Sequence, residues 1–327
     1  MDIESNKRVT LVIPTTGKDY ERRKWDFSVY FDRLPVKRIV FIGPDELEEK
    51  LTKDIRKQGD NRVFFVEENT ILPYDHVKEQ IIRRVKKAGY GMDENSKPGW
   101  YYQQFLKMQY SRICDDDYYL TWDADTIPVR KISMFDADEN PYMDVKHEYC
   151  EGYFRTIKNL FGMDKVIKES FISEHMLFNV DLMKEMLNEI EQLNLDGDLF
   201  YGKIFNAIGL EDLKRGFAEF ETFGTWVWNR HNGIYKIRNW KSLRRGNIFT
   251  KMDDLTDEDV KWLGESYDAI SFESYHPLIP DLAEMFRNTE YRRKMTAEEF
   301  YMTVLKSGIF GEFKDNMVIS DGKYWPI

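Results

Sequence analysis

Cysteine is nearly absent: Cys114 and Cys150 are the only two in 327 residues. They are far apart and have no paired spacing, which argues against a structural zinc site or a disulfide framework and suits a reducing compartment. Long apolar runs are missing too. No uninterrupted stretch reaches the roughly 18 residues of a membrane-spanning helix. The opening Met1-Asp2-Ile3-Glu4-Ser5-Asn6 carries no apolar signal core. The expectation is a cytoplasmic protein, with peripheral association at the inner face of a membrane as the only membrane role considered. Basic charge is in deficit: 48 Lys plus Arg stand against 58 Asp plus Glu, a formal charge of −10. Such a field repels phosphate at long range and argues against a general nucleic-acid binder. Glycine is sparse where a phosphate loop would need it. Pro14-Thr15-Thr16-Gly17 holds a single glycine and no G-x-G-x-x-G follows, which disfavours a dinucleotide dehydrogenase and a sugar nucleotidyltransferase.

What is present is a well-supplied core and an alternating pattern. Apolar residues make up 42% and aromatics 15% of the chain, enough to exclude global disorder. Arg8 to Pro14, Val36 to Ile42, Arg62 to Val66 and Tyr118 to Trp122 read as strands. Helical spacing covers Tyr20 to Arg33, Asp45 to Gln58, Asp75 to Lys87 and Trp100 to Ile113. This alternation predicts an α/β fold, a Rossmann-like mixed central sheet flanked by helices. Further on, Ser170 to Asn179 and Tyr267 to Tyr275 read as strands, Val180 to Leu193 and Glu219 to Asn229 as helices. The expected organisation is one domain over residues 1–285, with residues 1–130 as one half and 131–285 as the other. Residues 286–327 form a C-terminal helical extension packed on it.

The sharpest chemical signal is Asp123-Ala124-Asp125, directly after the apolar run YYLTW. Two carboxylates two residues apart at a strand end can turn toward one point, and Mn²⁺ or Mg²⁺ prefers such hard oxygen ligands. Ligands in open α/β sheets also bind beyond the carboxyl ends of strands. In the preceding helix, Gln103 and Gln104 offer amides for a base or sugar, and Lys107 offers a charge for phosphate. A haloacid-dehalogenase-type phosphatase fits the same motif, with Asp123 as nucleophile and Asp125 as general acid/base. Against it, about 115 residues with their own strands precede the motif.

The blocks GWYYQQFLKM, YYLTWDADTIP, SFISEHMLFN and AEFETFGTW, with TLVIPTT at Thr10 to Thr16, are together similar to bacterial glycosyltransferases of the GT-A type in the DUF6492 group. The resemblance implies a GT-A-like fold and a metal-dependent transfer from a nucleotide-sugar donor, with a UDP-sugar as the default. The acceptor would be a carbohydrate or glycolipid, in surface polysaccharide synthesis. It also implies Pro14, Thr15 and Thr16 near the nucleotide, and Asp123 and Asp125 at the metal. Glu219 or Glu221, at a helix start, would be the base of an inverting reaction. His276 would be a third metal ligand, and His175 a donor-sugar or acceptor contact.

Overall fold

The computed structural model describes residues 7–87, 89, 97–273 and 276–307, and the backbone of 317–320 and 323–326. The apolar run Val9–Pro14 forms β1, buried at every position, as a strand covered on both faces should be. Two short helices follow, α1 (Gly17–Tyr20) and α2 (Ser28–Arg33), and then β2 (Val36–Gly43), parallel to β1. The helix expected over Tyr20 to Arg33 is therefore interrupted. Trp25 is the cause: its ring stacks on Tyr20 at 5.3 Å and meets Phe41 edge-on at 4.8 Å. Its Nε1 donates to the Tyr20 carbonyl. Burying the indole takes the chain off the helical path until Asp26 accepts from the Ser28 backbone N–H.

Helix α3 (Asp45–Gln58) ends on Gly59, whose left-handed backbone (φ 66°) stops it. Strand β3 (Val63–Glu67) pairs in parallel with β2, and α4 (Glu68–Ile71), α5 (Tyr74–Lys87) and α6 (Pro98–Gln109) follow. A 3-10 turn over Tyr110–Arg112 closes α6 earlier than the spacing predicts. Strand β4 (Tyr118–Trp122) then enters beside β1, in parallel, with Val12 opposite Thr121. Its alternation sends Tyr119 into the core on one face of the sheet, and Leu120 and Trp122 into the core on the other.

Next come β5 (Thr126–Pro128), β6 (Tyr142–Val145), α7 (Glu151–Phe161), β7 (His175–Asn179), α8 (Val180–Glu191), α9 (Phe200–Ala207) and α10 (Glu219–Arg230). Strand β7 runs antiparallel to β4 and completes the order β3-β2-β1-β4-β7. The central sheet is thus mixed and mostly parallel, flanked by helices, as expected. Only the second half of the strand expected over Ser170 to Asn179 forms, because β4 ends at Trp122, opposite His175. Ser170 makes only an isolated bridge to Lys146.

Strands β8 (Lys236–Asn239) and β9 (Ser242–Leu243), helix α11 (Asp257–Gly264) and β10 (Ala269–Ser271) follow. The strand expected over Tyr267 to Tyr275 shrinks to β10, which pairs with β5 and β9; Tyr275 lies outside the described residues. Helices α12 (Pro280–Arg287), α13 (Thr289–Lys294) and α14 (Ala297–Lys306) share a core with β5 and β10 through Leu282, Phe286, Phe300, Ile127 and Ile270. The backbone ends in a hairpin of β11 (Met317–Ser320) and β12 (Lys323–Pro326), where the expectation was helix alone.

In the central sheet β2 and β3 extend to one side of β1, and β4 and β7 to the other. Strand order reverses between β1 and β4, and that reversal opens a crevice beyond their carboxyl ends. Helix α10 forms one wall and is seated by close packing: a Cβ at Gly224 would lie 2.2 Å from Cγ of the buried Phe171. G224A should therefore lower the unfolding free energy by roughly 1–3 kcal/mol through overpacking, read from urea midpoints at unchanged slope. An unchanged midpoint would show that Phe171 can yield freely.

Candidate active site

The crevice encloses about 1160 Å³ and gathers residues from distant parts of the chain. Pro14, Thr15 and Thr16 leave β1 into it, and Asp123, Ala124 and Asp125 leave β4. Gln103, Gln104 and Lys107 reach it from α6, Glu219 from the first residue of α10, and Glu273 and His276 from the segment after β10. A tight turn holds the Asp pair, with the Thr126 N–H donating to the Asp123 carbonyl at 3.0 Å. The Asp123 N–H donates to Glu174 and the Phe272 N–H to the Asp125 carbonyl, both at 2.9 Å, so the turn is fixed from two sides.

Lys107 is the electrostatic centre. Its Nζ lies 2.7 Å from Asp123 Oδ1 and 2.9 Å from Glu219 Oε1, with the lysine and Glu219 both buried. Burial works against the ammonium charge, but Asp123 and Glu219 outweigh it and hold the Lys107 pKa above the usual lysine range. Glu219 is pushed up by burial, with Lys107 opposing. Asp125 rises to about 7, through burial first and then the negative charge of Asp123 and Glu273.

This excess of carboxylate at the crevice floor is the donor chemistry that suits Mn²⁺ or Mg²⁺, and a cation there would relieve the repulsion. Asp123 and Asp125 fit that role as a pair. Among the described residues, no group of three or more His, Cys, Asp or Glu side chains is assembled to hold a metal ion. His276, expected as the third ligand, lines the crevice without joining the Asp pair in such a group. Its Nε2 is 3.5 Å from Glu273 Oε2, and burial, followed by Arg245, lowers its pKa.

Two expected residues face elsewhere. Glu221 does not line the crevice; it accepts from Ser170 Oγ at 2.5 Å, the Phe171 N–H at 3.2 Å and Thr225 Oγ1 at 3.3 Å. Two residues along a helix are rotated by about 200°, so Glu219 and Glu221 cannot share one face. The candidate base is therefore Glu219. His175, expected as a sugar contact, is buried in the core. Its Nε2 meets Asp144 Oδ2 at 2.8 Å, and its ring lies 4.2 Å from that of Trp240. It belongs to β7, the neighbour of β4, and does not line the crevice. Gln104 also does structural work, since its Oε1 accepts from the Glu219 N–H at 3.1 Å and seats the start of α10. Lys107, expected as a phosphate contact, is committed to its two carboxylates.

Several lining residues carried no local signal in the sequence. Glu68, raised to about 7 by burial and by Glu67 and Glu46, faces the crevice after β3. Arg244 joins Glu148 at 2.9 Å to Glu273 at 2.8 Å. Beside it Glu174 takes Lys146 at 2.8 Å, Ser242 at 2.7 Å and Trp240 at 2.6 Å; burial pushes its carboxyl up, but the charges of Lys146 and Arg244 outweigh that and hold it down at about 2. No short motif links these positions; only the folded chain brings them together.

Replacing Lys107 should expose how much this centre matters to the fold. K107M leaves Glu219 buried without its cation, and should cost about 3–5 kcal/mol of stability at pH 7. The lysine's own contribution is complete at neutral pH, because its raised pKa leaves it charged until well above 10. In the variant, protonating Glu219 removes the uncompensated charge, so the deficit should shrink between pH 7 and pH 5. Urea unfolding at the two pH values checks this; a deficit independent of pH would mean that lost packing, not charge, is responsible.

Glycosyltransferases are among the solved structures that this chain matches, and the three described here are each 12% identical to it. Mouse xyloside xylosyltransferase 1, in its apo form, aligns with a TM-score of 0.43 over 83% of this chain and 100% of that one. Galactosyltransferase LgtC, in complex with donor and acceptor sugar analogues, gives 0.38 over 88% and 97%. The apo form of the bifunctional glycosyltransferase WbbM gives 0.40 over 92% of this chain and 52% of that one. No curated protein matches. A family model covers residues 6–280, most of the chain, and the protein therefore belongs to DUF6492, a family of unknown function.

Proposed function

We propose that this protein is a metal-dependent glycosyltransferase, moving a sugar from a nucleotide-sugar donor, by default a UDP-sugar, to a hydroxyl of a carbohydrate or glycolipid. The observation that carries this reading is the position of Asp123 and Asp125, at the floor of a large crevice opened by the strand-order reversal. Residues 1–130 would serve the donor and residues 131–285 the acceptor. Bacterial surface polysaccharide synthesis, at the cytoplasmic face of a membrane, is the biological setting that goes with it. Among the described residues no helix is long and apolar enough to cross a membrane.

Asp123 and Asp125 would hold Mn²⁺ or Mg²⁺, whose charge offsets the diphosphate as it leaves. Thr15, Thr16 and Gln103 line the same crevice and offer hydrogen bonds to the donor. Glu219 is the proposed base. Its Oε1 accepts from Lys107, and the carboxylate lines the crevice, where it can take the proton of an acceptor hydroxyl. Burial raises Glu219 and Lys107 keeps its orientation, so this carboxylate is both poised and fixed. A base on the acceptor side favours inversion at the anomeric carbon. Against the phosphatase alternative, β1, β2 and β3 with their helices all precede the Asp-Ala-Asp motif, which would open its domain in such an enzyme.

A thermal-shift screen of nucleotides and nucleotide sugars, with and without Mn²⁺, tests the donor. Stabilisation by a nucleoside diphosphate that needs the metal, and is lost in D125A, is the expected result; undiminished binding in D125A would sink the metal assignment. E219Q should lower turnover by about 10²–10⁴-fold. E221Q should change turnover by less than about tenfold and act mainly on stability, through its lost bonds to Ser170 and Phe171. Equal turnover losses in both variants would leave Glu219 without a special role.

A further inference from the structure

Lys107, the buried cation at the crevice floor, is matched by Asp123 and Glu219. Arg23, buried elsewhere in the same lining, is not matched in that way. It is 8% exposed, and it lines the crevice on the wall that carries Thr15, Thr16 and Ala124. Its guanidinium lies 4.0 Å from the Trp25 ring centre and 5.6 Å from that of Tyr30. Nη1 donates to Tyr30 Oη at 2.9 Å and weakly to the Ala124 carbonyl at 3.4 Å. Nε is buried with no acceptor, and among the described residues Nη2 has none and no carboxylate stands within ion-pair distance. The two rings and the tyrosine hydroxyl fix the guanidinium plane but leave its charge uncompensated. A buried charge in that state lowers stability unless something else completes it.

We propose that Arg23 is an anion-binding residue that takes a phosphoryl group of the crevice ligand through its free edge, independently of any metal. It rests on the reading above in identifying that anion with the donor's diphosphate. The placement suits the role. Arg23 bonds the carbonyl of Ala124, between the two metal-site aspartates, so a phosphate chain reaching toward that pair passes the guanidinium. A planar, permanently charged donor held by aromatic rings loses little freedom on binding, which favours arginine over lysine here. It also explains how a protein of charge −10 can admit a polyanion: the cation is local, desolvated and uncommitted.

The probe is inorganic pyrophosphate in excess EDTA, with thermal midpoint and calorimetric affinity as readouts. Wild-type protein should be stabilised, with affinity falling steeply as salt rises. R23M keeps the side-chain length and removes the charge. It should weaken pyrophosphate binding by at least about tenfold while leaving the ligand-free midpoint unchanged or higher, because it deletes an uncompensated buried charge. R23K should recover part of the binding. If wild type gives no response, or R23M retains it, the proposal fails. If R23M loses both its midpoint and its response, R23K decides: recovered binding supports the site, and absent binding at a wild-type midpoint overturns it. These outcomes are separable from the donor reading. A metal-dependent nucleotide response without a pyrophosphate response removes only Arg23. A pyrophosphate response with no nucleotide response keeps the anion site and rejects the nucleotide-sugar donor.

Discussion

The ion pairs of Lys107 join three elements that no local interaction could bring into register. The lysine comes from the last turn of α6, Asp123 from the end of β4, and Glu219 from the start of α10. A buried ammonium is stable only because two carboxylates surround it, and Glu219 is stable as an anion only because the ammonium is there. The position of the crevice floor relative to its α10 wall follows from that mutual dependence. Gln104, one turn earlier on α6, repeats the restraint by accepting from the Glu219 N–H.

A second buried network does the same for the opposite wall. Glu174 draws together Lys146, Ser242 and Trp240, and Arg244 passes the restraint on to Glu148 and Glu273. Because the Glu174 carbonyl also receives the Asp123 N–H, both networks meet at the Asp-Ala-Asp turn. The turn is thus held by charge and hydrogen bonds from both halves of the chain, while both of its aspartates line the crevice. Rigid support under an electrostatically strained pair is the arrangement a polyvalent ligand site requires.

The sequence and the structure agree over the first strands and at α10, where a local, periodic signal meets no competing tertiary contact. β1 and the second half of β2 are continuous apolar runs because both of their faces are covered, and such runs are visible without a fold. The helix beginning at Glu219 was legible from its spacing. Tyr20 to Arg33 misleads because Trp25 gains more from Tyr20 and Phe41 than the backbone gains from another helical turn. Ser170 to Asn179 misleads because strand pairing depends on the length of the neighbour, and β4 stops at Trp122.

By itself the sequence determined an α/β sheet, an acidic pair at a strand end and a short set of candidate side chains. Burial patterns and turn chemistry act over a few residues, so they leave local traces. Which candidates meet was decided only by the tertiary structure. Lys107 and Glu219 are 112 residues apart, and the rotation of α10 separates Glu219, in the crevice, from Glu221, in the core. Arg23 had no motif at all; its meaning comes from the rings that hold it and the carboxylate it lacks.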